Sequence, residues 1–175
     1  GERPLRFFPA ALLSRSRETP MFEQSLGAQL IRSLVDDDVD ARLALEIAAA
    51  WRGDQFFAFQ DGEEFTTAWY SVWTSPEQAG AFQRAYQKIL QRRQRIRLDP
   101  ASASPRQGAP QASLSGRSRT NRGVWLESKE SVVLLLSGAP LEQLDEWVDA
   151  AWRDLEIEAD PAAIRFDSEI GRAHV

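Results

Sequence analysis

The sequence has 175 residues, of which 43% are hydrophobic and 27% charged, and its formal net charge is −5. This length and composition indicate one globular domain with its own core rather than a disordered chain. The mild acidic excess argues against nucleic acid as the main partner. The absence of cysteine excludes a disulfide framework and a thiolate zinc site. No apolar run reaches the roughly 18–20 residues that a membrane-spanning helix needs.

The chain starts with Gly1, and its only methionine is Met21. We therefore expect a processed or excised part of a longer polypeptide. Residues 1–20, rich in proline, arginine and serine, are predicted to form a lead-in segment with at most one short helix.

Two helices are predicted next. Apolar residues recur every four positions from Phe22 to Leu34, which favours a helix over residues 21–35. An alanine-rich second helix is predicted over residues 39–51. The acidic run 36–38 is expected to end the first helix and cap the second. A calcium loop is the alternative, although consecutive aspartates lack the alternating ligands of such a loop.

A sharp corner, Trp51-Arg52-Gly53-Asp54, follows the second helix. Gly53 is expected to stop the helix and permit the turn, with Trp51 packed beneath it. Asp54 is expected to bond backbone N–H groups in this corner or to pair with Arg52. The same residues contain an Arg-Gly-Asp tripeptide of the kind that some adhesion ligands use, but turn geometry is the favoured interpretation.

A β-hairpin is predicted after this corner, with strands over residues 55–60 and 65–73. Asp61-Gly62 marks its turn, because Gly62 can adopt the positive φ that tight hairpins require. Period-two alternation places Trp69 and Trp73 on one face of the return strand and Tyr70 on the other. These three aromatics could form an exposed platform for a partner, but core packing is the more common role for such residues.

The next helix has a strong start signal at Ser75-Pro76, and its apolar stripe leads into a basic C-terminal end. This basic end contains Arg92, Arg93, Arg95 and Arg97. Residues 99–122 are then predicted to form a flexible insertion rich in arginine, serine and proline. The insertion is either a solvated surface segment or, with the basic end, an electrostatic tether for an acidic partner, nucleic acid or anionic lipid.

Strand signals return at residues 123–127 and 131–137, and another helix starts after residues 138–140. The order strand, strand, helix therefore occurs twice. We predict an α+β fold in which the two units form a four-stranded antiparallel sheet with the helices on one face, preceded by two helices. Four segments, 1–20, 21–98, 99–122 and 123–175, would then make one domain.

No catalytic constellation stands out. The only histidine, His174, lies beside the C-terminus, so neither a histidine-based triad nor a histidine zinc cluster can be built. Glu63, Glu64, Glu127 and Glu130 flank predicted turns and are expected to be solvated. We predict no catalytic residue, no metal site and no cofactor.

A spaced series of short motifs nevertheless resembles the C-terminal region of a family of uncharacterised bacterial and archaeal proteins. The resemblance covers most of residues 1–160 apart from the insertion. It rests on these segments of the sequence: residues 1–4, Leu26-Gly27, residues 48–54, Val72-Trp73-Thr74, Ala81-Phe82 with Tyr86, and residues 132–140. Arg52 departs from the family pattern, where glycine is more usual.

Proteins of that family usually carry an upstream zincin-like domain with a His-Glu-x-x-His helix, and many look exported. This chain has no such helix, so the resemblance implies a non-catalytic accessory domain, exported to the periplasm or cell envelope. Its partner would be another protein or an upstream domain of the same polypeptide. The alternative is a stand-alone protein-binding or structural module that uses an aromatic sheet face or the basic loop. A metal-free hydrolase built on carboxylates is disfavoured.

Overall fold

The computed structural model describes residues 4–15, 20, 22–101, 113–159, 162–166 and 173–174, with only the backbone described for Asp61 and from residue 159 onward. The helices are α1 (Ala10–Arg15), α2 (Gly27–Val35), α3 (Ala41–Ala50), α4 (Pro76–Arg93) and α5 (Leu144–Trp152), and a 3-10 turn (Leu141–Gln143) precedes α5. The strands are β1 (Arg6–Pro9), β2 (Phe22–Gln24), β3 (Trp51–Asp61), β4 (Glu64–Trp73), β5 (Leu98–Pro100), β6 (Leu114–Arg117), β7 (Gly123–Lys129), β8 (Val132–Ala139), β9 (Leu155–Ala159), β10 (Ala162–Phe166) and β11 (Ala173–His174).

The main sheet is antiparallel, has seven strands and follows the order β2-β3-β4-β8-β7-β6-β5. The four predicted strands are its centre, because β4 of the first hairpin pairs with β8 of the second. The predicted α+β class is confirmed, but a sheet of only four strands is wrong. Strand β2 adds one edge, and β6 and β5 add the other. Strands β5 and β6 lie at the two ends of the predicted insertion, whose middle, residues 102–112, is outside the described residues.

Helices cover both faces of the main sheet, so the prediction of helices on one face is wrong. Helices α2, α3 and α4 pack on one face, where the core includes Trp69, Phe82 and Leu126. Helices α1 and α5 pack on the other face, around Tyr70 and Trp125. The physical reason is that the central strands are apolar on both sides, and each side must be removed from water.

A second, smaller antiparallel sheet packs beside α1 and α5 in the same core cluster. Strand β1 pairs with β9, and the backbones of β10 and β11 extend this sheet. Phe7 and Ile157 face each other in the register and are both buried. The Phe7 N–H also donates to Gln55 Oε1 of β3 at 2.9 Å, which ties the two sheets together.

The first two helices differ in detail from the prediction. Helix α2 starts only at Gly27, and its buried residues are Ile31 and Val35, while Phe22 and Leu30 are exposed. The cap of α3 is Asp40, whose side chain accepts from the Leu43 N–H at 2.9 Å, rather than the acidic run before it. No described helix is long and apolar enough to cross a membrane.

The predicted start and buried stripe of helix α4 are both confirmed. Ser75 Oγ accepts from the Gln78 N–H at 3.2 Å, and Pro76 is the first helical residue. The predicted inward stripe is buried in full: Ala79, Phe82, Tyr86 and Ile89.

The three aromatics of β4 that could have formed an exposed platform are core residues. Trp69, Tyr70 and Trp73 expose 4%, 0% and 2% of their surface. The rings of Trp69 and Trp73 pack against Phe82 of α4, with centroids 5.7 Å and 4.5 Å apart. On the opposite face, Tyr70 donates its hydroxyl to the Ala151 carbonyl of α5 at 2.7 Å. The platform interpretation is wrong, because both faces of this central strand are covered.

Burial of Tyr70 has a consequence at alkaline pH. Removal from water raises the pKa of the Tyr70 hydroxyl well above its usual value. In the unfolded chain this hydroxyl loses its proton near pH ~10, whereas the folded protein keeps it. The free energy of unfolding should therefore fall as the pH rises through about 10, by up to roughly 1.4 kcal/mol per pH unit from this group.

The matched measurement is urea unfolding between neutral pH and pH ~11, with wild type and Tyr70→Phe compared. The variant should lose about 1 kcal/mol at neutral pH, because its hydrogen bond is gone, and should show a shallower alkaline decline. Burial also raises the pKa of Tyr86. The dependence of the free energy of unfolding on pH should therefore be measured for Tyr86→Phe as well. If the free energy of unfolding fell equally steeply with alkaline pH in wild type and Tyr70→Phe, the Tyr70 hydroxyl would not be the source of the decline.

Candidate functional site

Asp54 is a buried carboxylate at the start of β3, and only 2% of its surface is exposed. Its oxygens accept five hydrogen bonds of 2.8–3.2 Å. The donors are Ser25 Oγ, the backbone N–H groups of Leu26 and Gly27, and the indole N–H groups of Trp51 and Trp69. Asp54 is therefore satisfied entirely by neutral donors from three parts of the chain.

Two of these donors are the first N–H groups of α2. The N-cap residue of α2 is Leu26, whose side chain cannot supply a capping bond. Asp54 replaces the missing cap from a neighbouring strand and places its charge at the positive end of the helix dipole. Asp54 does bond backbone N–H groups, but the expectation that they belong to the corner is wrong, because Leu26 and Gly27 at the start of α2 supply them.

Gly53 serves a different purpose from the one predicted. It lies inside β3, beside a bulge between Trp51 and Gly53, and α3 has already ended at Ala50. A Cβ on Gly53 would lie 2.5 Å from the Leu5 carbonyl oxygen, because the Leu5 N–H donates to the Arg52 carbonyl at 2.9 Å. Glycine is needed here for the close approach of residues before β1.

The remaining signature residues are placed as follows. Trp51 is half-buried and donates to Asp54, and Gly62 has a φ of +63° in the predicted hairpin turn. Gly53 and Asp54 are both buried, so the Arg-Gly-Asp tripeptide cannot be presented to a receptor. That alternative interpretation is wrong.

Glu127 is a second buried carboxylate, 1% exposed, whereas the sequence predicted a solvated residue. Its Oε2 accepts from Trp125 Nε1 at 2.6 Å and from Ser113 Oγ at 2.9 Å. Lys129 Nζ lies 3.5 Å from Oε1, an ion pair without an aligned hydrogen bond. Lys129 also lies over the ring of Trp152, 4.7 Å from its centroid.

Both buried carboxylates are therefore engaged by the protein's own donors. A general base must reach the proton that it removes from a substrate, and neither Asp54 nor Glu127 faces open solvent. Among the described residues, aspartate, glutamate and histidine do not gather in threes as a metal ligand set would. The side chain of His174 lies outside the described residues.

The predicted basic cluster divides into two parts. Arg92 and Arg93 turn toward the acidic segment before α3. Arg93 lies 2.9 Å from Asp38 and 3.3 Å from Asp37, while Arg92 lies 3.8 Å from Asp38. Because only 5% of the Asp38 side chain is exposed, this pairing fastens the end of α4 to the link between α2 and α3.

The other two arginines, Arg95 and Arg97, line a cleft of about 660 Å³ at the β5–β6 edge of the main sheet. Helix α5 and its 3-10 turn cover that face of the sheet only in part and form the opposite wall. The full lining is Arg95, Arg97, Asp99, Pro100, Ala101, Ser115, Gly116, Arg117, Trp125, Leu141, Leu144 and Asp145.

An apolar surface that the sequence analysis missed lies at the other edge of the sheet. Phe22 of β2 and Phe65 of β4 expose 47% and 48% of their surface, and the half-buried Phe56 of β3 packs its ring against that of Phe22. Period-two alternation assigned Phe65 to the face of Trp69, but only the placement of the helices shows that this end of the face is uncovered. We call Phe22, Phe56 and Phe65 the aromatic edge surface.

The comparisons with known proteins place this arrangement in a family. A model for a domain of unknown function, DUF8575, matches residues 15–148. The chain belongs to the DUF8575 family. No curated protein matches, and neither does any solved structure. The association with zincin-like proteins is not part of this match and stays a prediction.

The DUF8575 match contains Asp54, Glu127, the cleft and the aromatic edge surface. It ends within α5 and begins at the last residue of α1, so β1 and β9 lie outside it. Phe7, Leu12, Leu155 and Ile157 are nevertheless buried in the core. A fragment cut to the matched DUF8575 residues would therefore lose part of the core that covers one face of the sheet.

Proposed function

We propose that the chain is a non-catalytic accessory domain that binds a partner protein through the aromatic edge surface. The observation that carries this proposal is the exposure of Phe22 and Phe65 on one uncovered end of the main sheet. Large aromatics are costly to leave in water and are enriched in the centres of protein interfaces.

The register of the sheet groups these residues. Phe22 pairs with Ala58, and its ring packs edge-on against Phe56 with centroids 6.1 Å apart. Phe65 pairs with Gln60, which lies two residues beyond Ala58 toward the hairpin turn and on the same face of the sheet. Strand β2 ends the strand order on this side, so its outer backbone groups have no strand partner among the described residues. Such an edge accepts an extended segment of a partner, whose apolar side chains would cover the phenylalanines.

The state of the buried acids supports a non-catalytic role. Asp54 and Glu127 are the buried carboxylates of the described residues that face neither cleft nor solvent, and both hold structural elements together. The resemblance to accessory regions of exported zincin-like proteins supplies the partner class: an upstream domain of the same polypeptide or a separate protein of that kind. The alternative, a stand-alone binding module that uses its basic segment, predicts binding that depends on arginine rather than on phenylalanine.

Replacing Phe22 and Phe65 together with serine should weaken binding to the partner at least tenfold and leave the melting temperature nearly unchanged. The probe is a purified zincin-like domain of the class that the proposal names, and the measurement is isothermal titration calorimetry. Leu45→Ser is the matched control, because Leu45 is 49% exposed and belongs to α3 rather than to a strand of the aromatic edge surface.

The two variants separate the possibilities. Loss of affinity in the phenylalanine variant with full affinity in Leu45→Ser supports the proposal, whereas equal affinity in both refutes it. The non-catalytic part is tested separately by incubating the purified chain with a panel of peptide and ester substrates. Hydrolysis that is abolished by Glu127→Gln or Asp54→Asn, in proteins that remain folded, would show that the chain is an enzyme.

A further inference from the structure

We propose that the cleft at the β5–β6 edge binds an amphiphilic carboxylate, a ligand with an apolar body and one carboxylate group. This site is separate from the aromatic edge surface and does not depend on it. Its volume of about 660 Å³ lies within the roughly 300–1,000 Å³ of small-molecule sites.

The inner part of the cleft is apolar. Trp125 of β7, Leu141 of the 3-10 turn and Leu144 of α5 line it, with Pro100 of β5 on the sheet side. Trp125 is 3% exposed and fixed by its hydrogen bond to Glu127, so its position does not depend on a ligand. A preformed apolar wall of this kind suits an aliphatic or aromatic group.

The outer part of the cleft is cationic. Arg95, Arg97 and Arg117 outnumber Asp99 and Asp145, so these five side chains carry one net positive charge. Arg97 Nε is paired with Asp99 at 3.2 Å. Arginine presents a planar fork that matches a carboxylate. A single negative charge balances this excess, whereas a doubly charged phosphate would leave the cleft with a net negative charge.

The pairing of β5 with β6 brings two arginines together. Leu98 is opposite Gly116, and continuing this register places Arg97 opposite Arg117. A Cβ on Gly116 would lie 2.3 Å from the Arg97 carbonyl oxygen, so the two strands approach very closely here. Like charges directly opposite each other on neighbouring strands are destabilising, and an anion held between them relieves that repulsion.

Arg95 supplies an independent indication. It follows α4 with a φ of +53°, the left-handed conformation that normally belongs to glycine or asparagine at this position. An arginine in this conformation carries a backbone strain that glycine would not. Among the described residues, no carboxylate forms an ion pair with Arg95. A strained residue with an unpaired charge at a cleft points to a role for its side chain in binding.

The probes are two acid–amide pairs: phenylbutyrate with its amide, and an acetylated apolar tetrapeptide with a free C-terminal carboxylate together with its C-terminal amide. Binding is measured by protein NMR chemical-shift titration on the full chain. We expect the acid of at least one pair to shift signals from the cleft and to bind at least tenfold more tightly than its amide. If the peptide acid binds more tightly than phenylbutyrate, the carboxylate ligand is a protein C-terminus. If phenylbutyrate binds more tightly, the ligand is a free organic acid.

Arg95→Gly is the decisive variant. It should raise the melting temperature by removing the backbone strain and weaken acid binding by about tenfold. Arg117→Ala should weaken binding similarly, while Arg84→Ala, an exposed arginine on α4 outside the cleft, should leave it unchanged. Equal binding of acid and amide, no binding by either acid, or undiminished affinity in both Arg95→Gly and Arg117→Ala would each overturn the proposal.

Discussion

Asp54→Ala is expected to lower the free energy of unfolding by about 4 kcal/mol. The substitution leaves five donors without their acceptor, and two of them are indole N–H groups, of which Trp69 is 4% exposed. Each buried donor left unpaired costs about 1–3 kcal/mol, and water entering near the start of α2 would recover part of the sum. Urea unfolding followed by circular dichroism measures the loss.

Two variants show whether the buried network is responsible. Asp54→Asn preserves the shape but presents an NH₂ group to some of the donors, so a loss of about 2–3 kcal/mol is expected. Asp40→Ala removes an ordinary exposed helix cap with one capping bond and should cost only about 1 kcal/mol. If Asp54→Ala cost no more than Asp40→Ala, the central role of Asp54 would be refuted.

Gly53→Val is expected to cost about 3 kcal/mol or more. Even the first side-chain atom would lie 2.5 Å from the Leu5 carbonyl oxygen and 2.7 Å from the Leu5 nitrogen. Both contacts are backbone atoms, so no side-chain rotation can relieve them. The segment before β1 must move, and the Leu5–Arg52 hydrogen bond is then lost.

The controls distinguish this contact from backbone strain. Gly62→Ala places a Cβ in open space at a φ of +63°, so it should cost only the conformational penalty of about 1 kcal/mol. Arg52→Ala keeps the backbone bond and should have a small effect. In a chain that lacks residues 1–5, Gly53→Val should become nearly neutral. An unchanged cost in the shortened chain would show that Leu5 is not the obstacle.

The sequence predicted the centre of the fold well because local signals are strongest there. Period-two alternation identified the strand around Trp69, a continuous apolar run identified the strand around Leu134, and Ser75-Pro76 marked the start of α4. These signals report one segment at a time. They do not say which face of the sheet a helix will cover, which is why α4 and α5 were placed together although they lie on opposite faces.

The short edge strands gave almost no local signal. Strand β2 has three exposed residues, and a four-residue spacing of apolar side chains from Phe22 onward resembled a helix. Strands β5 and β6 lie at the ends of a segment with few apolar residues, and they form because Leu98 and Leu114 join the core. Pairing with a neighbouring strand overrides weak propensity in such segments.

In the candidate sites, too, local sequence signals could be recognised but contacts between distant segments could not. The importance of the corner at Trp51, Gly53 and Asp54 could be recognised from the sequence, but its partners Leu5 and Ser25 are distant in the chain. Glu127 looked like an ordinary residue near a turn because its burial depends on Ser113 and Trp125. The cleft could not be predicted at all, since it needs β5, β6 and α5 to be assembled.

The pairing of β1 with β9 also affects how the chain acquires its structure over time. Phe7 and Ile157 are nearly a full chain length apart, and joining such distant segments carries a large entropy cost and slows folding. The hairpins β3–β4 and β7–β8 have short loops and can form early. During synthesis, the apolar face that β1 and β9 cover must remain open until β9 has left the ribosome. During that interval the nascent protein exposes an apolar surface that is prone to aggregation. Chaperone binding is therefore most important at this stage.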